Sequence, residues 1–182
     1  MASGGEASPL TAAGPSRTCT GVPLPLAGLE RESSIGLVRA VALDLDAVLA
    51  DTRPLWRDWL EDAARRARVD LAAVPEDRVA AAAVLDAELG DWRPLLERFA
   101  ADRAPIHFRP KAEVGAALRR LGAAGTRVGA FTDAPGELAA LAVAHAGAAR
   151  RVEVVGTLDE VLAALGADTV VVRSRGELAG LR

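Results

Sequence analysis

Beyond residue 37, short apolar runs alternate along the chain with longer segments in which apolar residues recur every three or four positions. Short apolar runs are typical of strands that are buried on both faces of a parallel sheet, and the longer spacing is typical of helices. The runs that predict strands are residues 39–45, 126–133, 151–157 and 168–174. Because strands and helices alternate, we predict an α/β fold with a doubly wound parallel sheet and helices on both of its faces.

The longest helical segment, residues 53–105, lies between the first two predicted strands. Pro75 and Pro94 stand near predicted helix starts, where proline is well tolerated, and Gly125 follows a later predicted helix as its terminating residue. The three tryptophans of this segment have helical spacing, which predicts packing residues; the alternative is an exposed pair at a subunit contact. They are Trp56, Trp59 and Trp92.

Residues 1–36 differ from the rest, because Gly, Ser, Pro and Thr dominate them. This composition predicts a disordered tail. A basic start followed by an apolar run is missing there, so we expect no signal peptide. The predicted organisation is thus a tail (1–36), an α/β core (37–52 and 106–182) and a small helical insert (53–105).

The composition and net charge limit which partners and which cellular compartment we expect for this protein. The chain has 182 residues and a net charge of −3 with no basic block, so we expect one domain and no nucleic-acid partner. The single cysteine, Cys19, fits a reducing cytoplasm. No run approaches the ~18 apolar residues of a spanning helix, so we expect no membrane association. Neither His107 nor His145 has a Cys or a carboxylate at the spacing of zinc ligands, so we expect no zinc site.

Polar residues follow three of the four predicted strands. Asp44 and Asp46 come at the end of the first, Thr132 and Asp133 at the end of the second, and Arg173 at the end of the fourth. The carboxyl ends of parallel strands meet at one edge of a sheet, where ligands bind. Two carboxylates that close repel each other and need a cation or a ligand to balance them. This edge is therefore the predicted functional site.

Two stretches, DLDAVLADT (44–52) and FTDAP (131–135), resemble motifs of the haloacid-dehalogenase-like phosphohydrolases, especially their phosphoglycolate-phosphatase-like branch. The first motif of that family usually reads D-x-D-G-T-L-x-D-T or S. Ala47 and Val48 replace its Gly and Thr here, and Thr132 matches the phosphate-binding hydroxyl of the second motif. The resemblance covers about residues 38–178. The residues that match the first motif are Asp44, Asp46, Leu49, Asp51 and Thr52.

The resemblance implies a hydrolase that acts on a small phosphomonoester, with residues 53–105 as a reduced helical cap. Asp44 would attack phosphorus and form an aspartyl-phosphate, while Asp46 would protonate the leaving oxygen and then activate water. It also implies Mg²⁺ as cofactor. On this basis we assign phosphate binding to Thr132, Asp133 and Arg173, and metal binding to Asp44, to Asp46 through its backbone carbonyl, and to Glu177.

Two further motifs of the family are altered in this chain. The third needs a lysine after the third strand, but Lys111 is the only lysine of the chain. In the fourth, Arg173 stands where the family has a metal-binding acid, and Glu177 matches the second acid. Two hypotheses follow. The protein is either a weak phosphohydrolase, or a catalytically inactive binding or scaffold protein in which Arg173 neutralises the Asp pair. A homodimer is left open.

Overall fold

The structure is a computed structural model that describes residues 38–67 and 69–181. The described residues all belong to one compact unit. The predicted tail, residues 1–36, lies outside the described residues, and so does Cys19.

The four predicted strands are confirmed, and they form one sheet in which all strand pairs are parallel. Their order is β3-β2-β1-β4. Each strand is shorter by two or three residues than the apolar run that predicts it. The strands are β1 (Ala40–Asp44), β2 (Arg127–Phe131), β3 (Val152–Gly156) and β4 (Thr169–Val172).

Local sequence explains where several helices begin and end. The side chain of Asp77 accepts a hydrogen bond from the Ala80 N–H and caps α2, and Pro94 lies in the first turn of α3. Gly125 has φ of 72° just after α4, as predicted for its terminating residue. The helices are α1 (Arg53–Ala67), α2 (Arg78–Leu89), α3 (Arg93–His107), α4 (Ala112–Ala123), α5 (Gly136–His145), α6 (Leu158–Leu165) and α7 (Arg175–Gly180). No helix in the described ranges has the length and apolar character needed to cross a bilayer.

Helices cover both faces of the sheet, which explains why the two central strands, β1 and β2, are mostly apolar and buried. Val41 and Leu43 of β1 belong to the large core that includes the buried residues of α4, α5 and α7. Ala40 and Ala42 face the opposite side, where they pack with residues of α6. The α/β prediction with helices on both faces of a parallel sheet is therefore confirmed.

The helical insert, α1 to α3, packs into the large core through its tryptophans. The ring centroids of Trp56 and Trp59 are 5.1 Å apart, and those of Trp59 and Trp92 are 5.2 Å apart. Only 5%, 3% and 0% of Trp56, Trp59 and Trp92, respectively, remains exposed. The prediction of packing residues is confirmed, and the alternative of an exposed tryptophan pair is wrong. That the insert acts as a cap stays a prediction.

The strand order creates a switch point at β1. The chain moves from β1 to β2 and β3 on one side, then crosses back to place β4 on the other side of β1. Crevices at the carboxyl ends of strands next to such a point are the usual ligand sites of open α/β sheets. Asp44 pairs in register with Phe131 of β2, and Leu43 with Val172 of β4.

Candidate functional site

The two aspartates stand at the junction between β1 and a π-helical turn, Leu45–Leu49. Asp44 caps this turn, because its Oδ1 accepts a hydrogen bond of 2.9 Å from the Ala47 N–H. Within the described residues, no group donates a hydrogen bond to its other oxygen, Oδ2. Asp44 is half-buried and lines a cavity, so one carboxylate oxygen remains available to a ligand.

Asp46 is 9% exposed, and four donors surround its carboxylate. The Thr52 N–H and Oγ1–H donate to Oδ1 at 2.7 and 2.5 Å. Arg78 Nη2 and the Thr132 hydroxyl donate to Oδ2 at 2.5 and 3.2 Å. A carboxylate offers about four acceptor positions. Those of Asp46 are all in use.

Arg78, the first residue of α2, carries the cation of the site. Its guanidinium donates to Asp46 Oδ2, to Thr52 Oγ1 at 2.6 Å, and to Asp133 Oδ1. The residue is 5% exposed. It thus bridges the ends of β1 and β2 and ties the helical insert to both. A planar guanidinium with several donors suits such a bridge between two carboxylates.

The ion pair fixes the protonation state of both partners. Burial raises the pKa of Asp46, but the hydrogen bonds from Arg78 and Thr52 outweigh burial and hold the pKa of that carboxyl below its usual value. Burial likewise lowers the pKa of Arg78, yet its hydrogen bonds to Asp133 and Asp46 raise it above the ordinary range. At neutral pH the site therefore contains a carboxylate and a guanidinium.

The prediction that Arg173 neutralises the Asp pair is wrong for Asp46, because Arg78 takes that place. The described residues contain no ion pair between Arg173 and an acid. Its backbone N–H donates to Glu177 Oε2 at 2.7 Å, and its guanidinium carbon lies 5.2 Å from the centroid of the Phe131 ring. No pattern in the sequence predicts a site role for Arg78. It follows Asp77 at the start of an alanine-rich helix, where an arginine is normally solvated.

The structure brings most of the predicted site residues to one edge of the sheet. The cavity there is lined by Asp44, Asp46, Thr132, Asp133 and Arg173. The Thr132 hydroxyl accepts a hydrogen bond from the Ala134 N–H and donates to Asp46. Glu177 does not line this cavity, and its carboxylate accepts a hydrogen bond from the Arg173 backbone N–H near the start of α7.

The side chains present do not fit the magnesium site that the resemblance implies. Glu177 lies outside the cavity that Asp44 and Asp46 line, and in the described ranges no three His, Cys, Asp or Glu side chains are placed to hold a metal. Arg173 stands where the resemblance leads us to expect a metal-binding acid. A hard cation such as Mg²⁺ needs oxygen ligands, and a guanidinium supplies none.

The cavity above the strand ends has a volume of about 950 Å³. This is at the upper end of the range of about 300–1,000 Å³ for sites that hold small organic molecules. Part of the lining is apolar and comes from the insert, the sheet and α6; we call these residues the apolar wall, and they include Trp56, Val79, Phe131 and Leu158. The cavity can thus hold a ligand that has an organic part besides its polar group.

The chain matches none of the protein-family models against which it was compared, and no curated protein matches it significantly.

Proposed function

We propose that this protein has a haloacid-dehalogenase-like fold whose cavity binds a small phosphorylated molecule, and that it is a binding protein and not an efficient phosphatase. The observation that carries the proposal is the saturated Asp46 carboxylate. The resemblance places Asp46 as the general acid, which must carry a proton to give to the leaving oxygen. An Asp46 that is held ionised by Arg78 and three further hydrogen bonds has no proton to give at neutral pH.

Ligand binding itself is supported by the groups around Asp44. The cavity is large, and Thr132 lies at the end of β2 with its hydroxyl in the site. Arg173 adds a guanidinium, which is well suited to phosphate oxygens. The resemblance of the two motifs points to the same chemistry at the same edge of the sheet.

A second candidate, slow phosphomonoester hydrolysis, is favoured by the state of Asp44. Its Oδ2 has no donor among the described residues, so this oxygen is free to attack phosphorus and form an aspartyl-phosphate. In this case the Arg78 contact to Asp46 would have to open in each turnover. The two candidates share the ligand and differ in the availability of the proton on Asp46.

The test is release of inorganic phosphate from an alkyl phosphate, whose alkoxide leaving group must be protonated, with Mg²⁺ or with a chelator, in the wild type and in Asp44→Asn. We expect the wild type to give no more product than Asp44→Asn under either condition, since the general acid is blocked. Asp44→Asn keeps the size of the side chain and removes the nucleophilic oxygen, so it is the matched control.

Turnover that requires both Asp44 and Mg²⁺ would overturn the proposal and establish a metal-dependent phosphatase. Turnover that requires Asp44 but is the same with a chelator would instead favour the second candidate.

A further inference from the structure

Asp44, Phe131 and Arg173 form one row across three neighbouring strand ends. Asp44 pairs with Phe131 in register, and Leu43 pairs with Val172, so Arg173 follows in the row of Asp44. Side chains alternate between the two faces along a strand. Ala42 and Phe131 lie in the core on the α6 side, and the alternation places Asp44 on that side as well.

The guanidinium of Arg173 extends over the end of β1. Arg173 follows β4, Phe131 ends β2, and β1 lies between those two strands. Adjacent strands are about 4.8 Å apart, so the ends of β4 and β2 are about 10 Å apart and the two side chains meet between them. Its guanidinium carbon reaches 5.2 Å from the Phe131 ring centroid, within the range of a cation–π contact. The charge is therefore held at the strand ends by an aromatic ring.

Two of the other arginines that line the cavity are paired with acids, whereas Arg173 is not. Arg78 is paired with Asp46 and Asp133, and Arg53 with Asp51. Arg57 and Arg173 form no ion pair with any acid in the described part of the chain. Of these two, Arg173 is the one in the row of Asp44, and Arg57 belongs to helix α1. The donors of Arg173 are thus available to an anion at the strand ends.

We propose that Arg173 binds the phosphate of the ligand, in place of the metal and lysine that the family uses, and that Phe131 and the apolar wall take the organic part. The ligand class is then a phosphomonoester of an apolar or aromatic alcohol, bound without a metal. This inference rests on the proposed function, since it assigns the contacts of the same cavity. The Phe131 ring limits the rotation of the guanidinium and so lowers the entropy lost on binding.

The experiment is calorimetric titration of the full chain with inorganic phosphate and with 1-naphthyl phosphate, both in the presence of a chelator. The variants are Arg173→Gln and Arg57→Gln. A charge-assisted hydrogen bond contributes about 1.5–3 kcal/mol, so Arg173→Gln should weaken binding of 1-naphthyl phosphate about tenfold to a hundredfold. Arg57→Gln should change it less than about threefold, because an exposed charge outside the contact acts weakly. Wild type should bind 1-naphthyl phosphate at least about tenfold more tightly than inorganic phosphate, given the apolar wall.

The outcomes separate this inference from the function on which it rests. If wild type binds neither probe, the proposed function fails. If wild type binds 1-naphthyl phosphate and Arg173→Gln binds it equally well, only the assignment to Arg173 is overturned. Equal affinity of wild type for the two probes would overturn the assignment of the organic part. If Arg57→Gln lost as much affinity for 1-naphthyl phosphate as Arg173→Gln, the anion would have to bind away from the strand ends, and the assignment to Arg173 would be overturned.

Discussion

At the scale of single residues, Arg78 determines what Asp46 can do. Asp44 and Asp46 are separated by a single residue, so their mutual repulsion requires a nearby cation. For Asp46 this cation is Arg78, which lies in a helix that begins 32 residues after Asp46. The guanidinium leaves Asp46 charged, satisfied and without a proton. Asp44 keeps an available oxygen. The two aspartates of one motif therefore differ in state, and this difference underlies the proposed function.

Replacing Arg78 by methionine should destabilise the protein by about 3 kcal/mol. Breaking a buried pair by removing one partner leaves an uncompensated charge, here that of Asp46. The measurement is urea unfolding of the wild type and Arg78→Met. Arg57→Met is the control, since Arg57 is exposed and its replacement should change stability by less than about 0.5 kcal/mol. A loss for Arg78→Met no larger than that of the control would contradict a structural role for the pair.

The stability of the protein should depend on pH through Asp46. The pKa of Asp46 is lower in the folded state than its ordinary value of 3.8, so its pairing stabilises the protein above that value and is lost as pH falls through the folded pKa. Unfolding free energies measured from about pH 5 down to about pH 2 should therefore fall more steeply for the wild type than for Asp46→Asn. The lowered pKa values of Asp86 and Glu160 affect both proteins alike. Parallel curves would show that Asp46 is not linked to folding.

At the scale of the elements, close packing of α6 on the sheet is the feature most open to test. A Cβ added to Gly129 of β2 would lie 2.7 Å from a methyl of Val161, 2.9 Å from one of Val154 and 3.0 Å from one of Leu165. Valine side chains have little freedom to move aside. The absence of a side chain at Gly129 is thus what lets α6 approach β2.

Gly129→Ala should destabilise the protein by about 1–3 kcal/mol through overpacking. Gly122→Ala in α4 is the matched control, because nothing lies within 4 Å of the added carbon. It should stabilise the helix by about 0.5–1 kcal/mol, as alanine is the better helix former. Thermal unfolding of the two variants should thus shift the midpoint in opposite directions. A Gly129→Ala midpoint equal to or above that of the wild type would contradict the packing described for α6.

The elements were predictable because each depends on local pattern. The four apolar runs predict β1 to β4, and Gly125 predicts the end of α4, since strand burial and a left-handed residue have local signatures. The π-helical turn at Leu45–Leu49 was not predicted, because it depends on the direction of the backbone after β1 and not on a local pattern of apolar residues. Arg78 was not predicted either. Its partners Asp46 and Asp133 are 32 and 55 residues away, and only the packing of the insert brings them together.

At the scale of the whole molecule, the insert and the sheet together form the cavity. Trp56 anchors the insert in the core, and Arg78 fastens it to the strand ends, so the cavity has walls from both parts. Arg78 replaces one function of a metal, namely balancing the charge of Asp46. It does not replace the other function, which is to assist the attack on phosphorus. These features support the proposal that the protein binds its ligand without efficient turnover.

The central claim is that arginines, and not a metal, balance the charge of this site. The measurement that tests it most directly is titration of the wild type with 1-naphthyl phosphate in Mg²⁺ and in a chelator. We predict dissociation constants that agree within about twofold, because the cations of the site are part of the chain. Binding that appears only with Mg²⁺ would contradict the claim and restore the metal to the site.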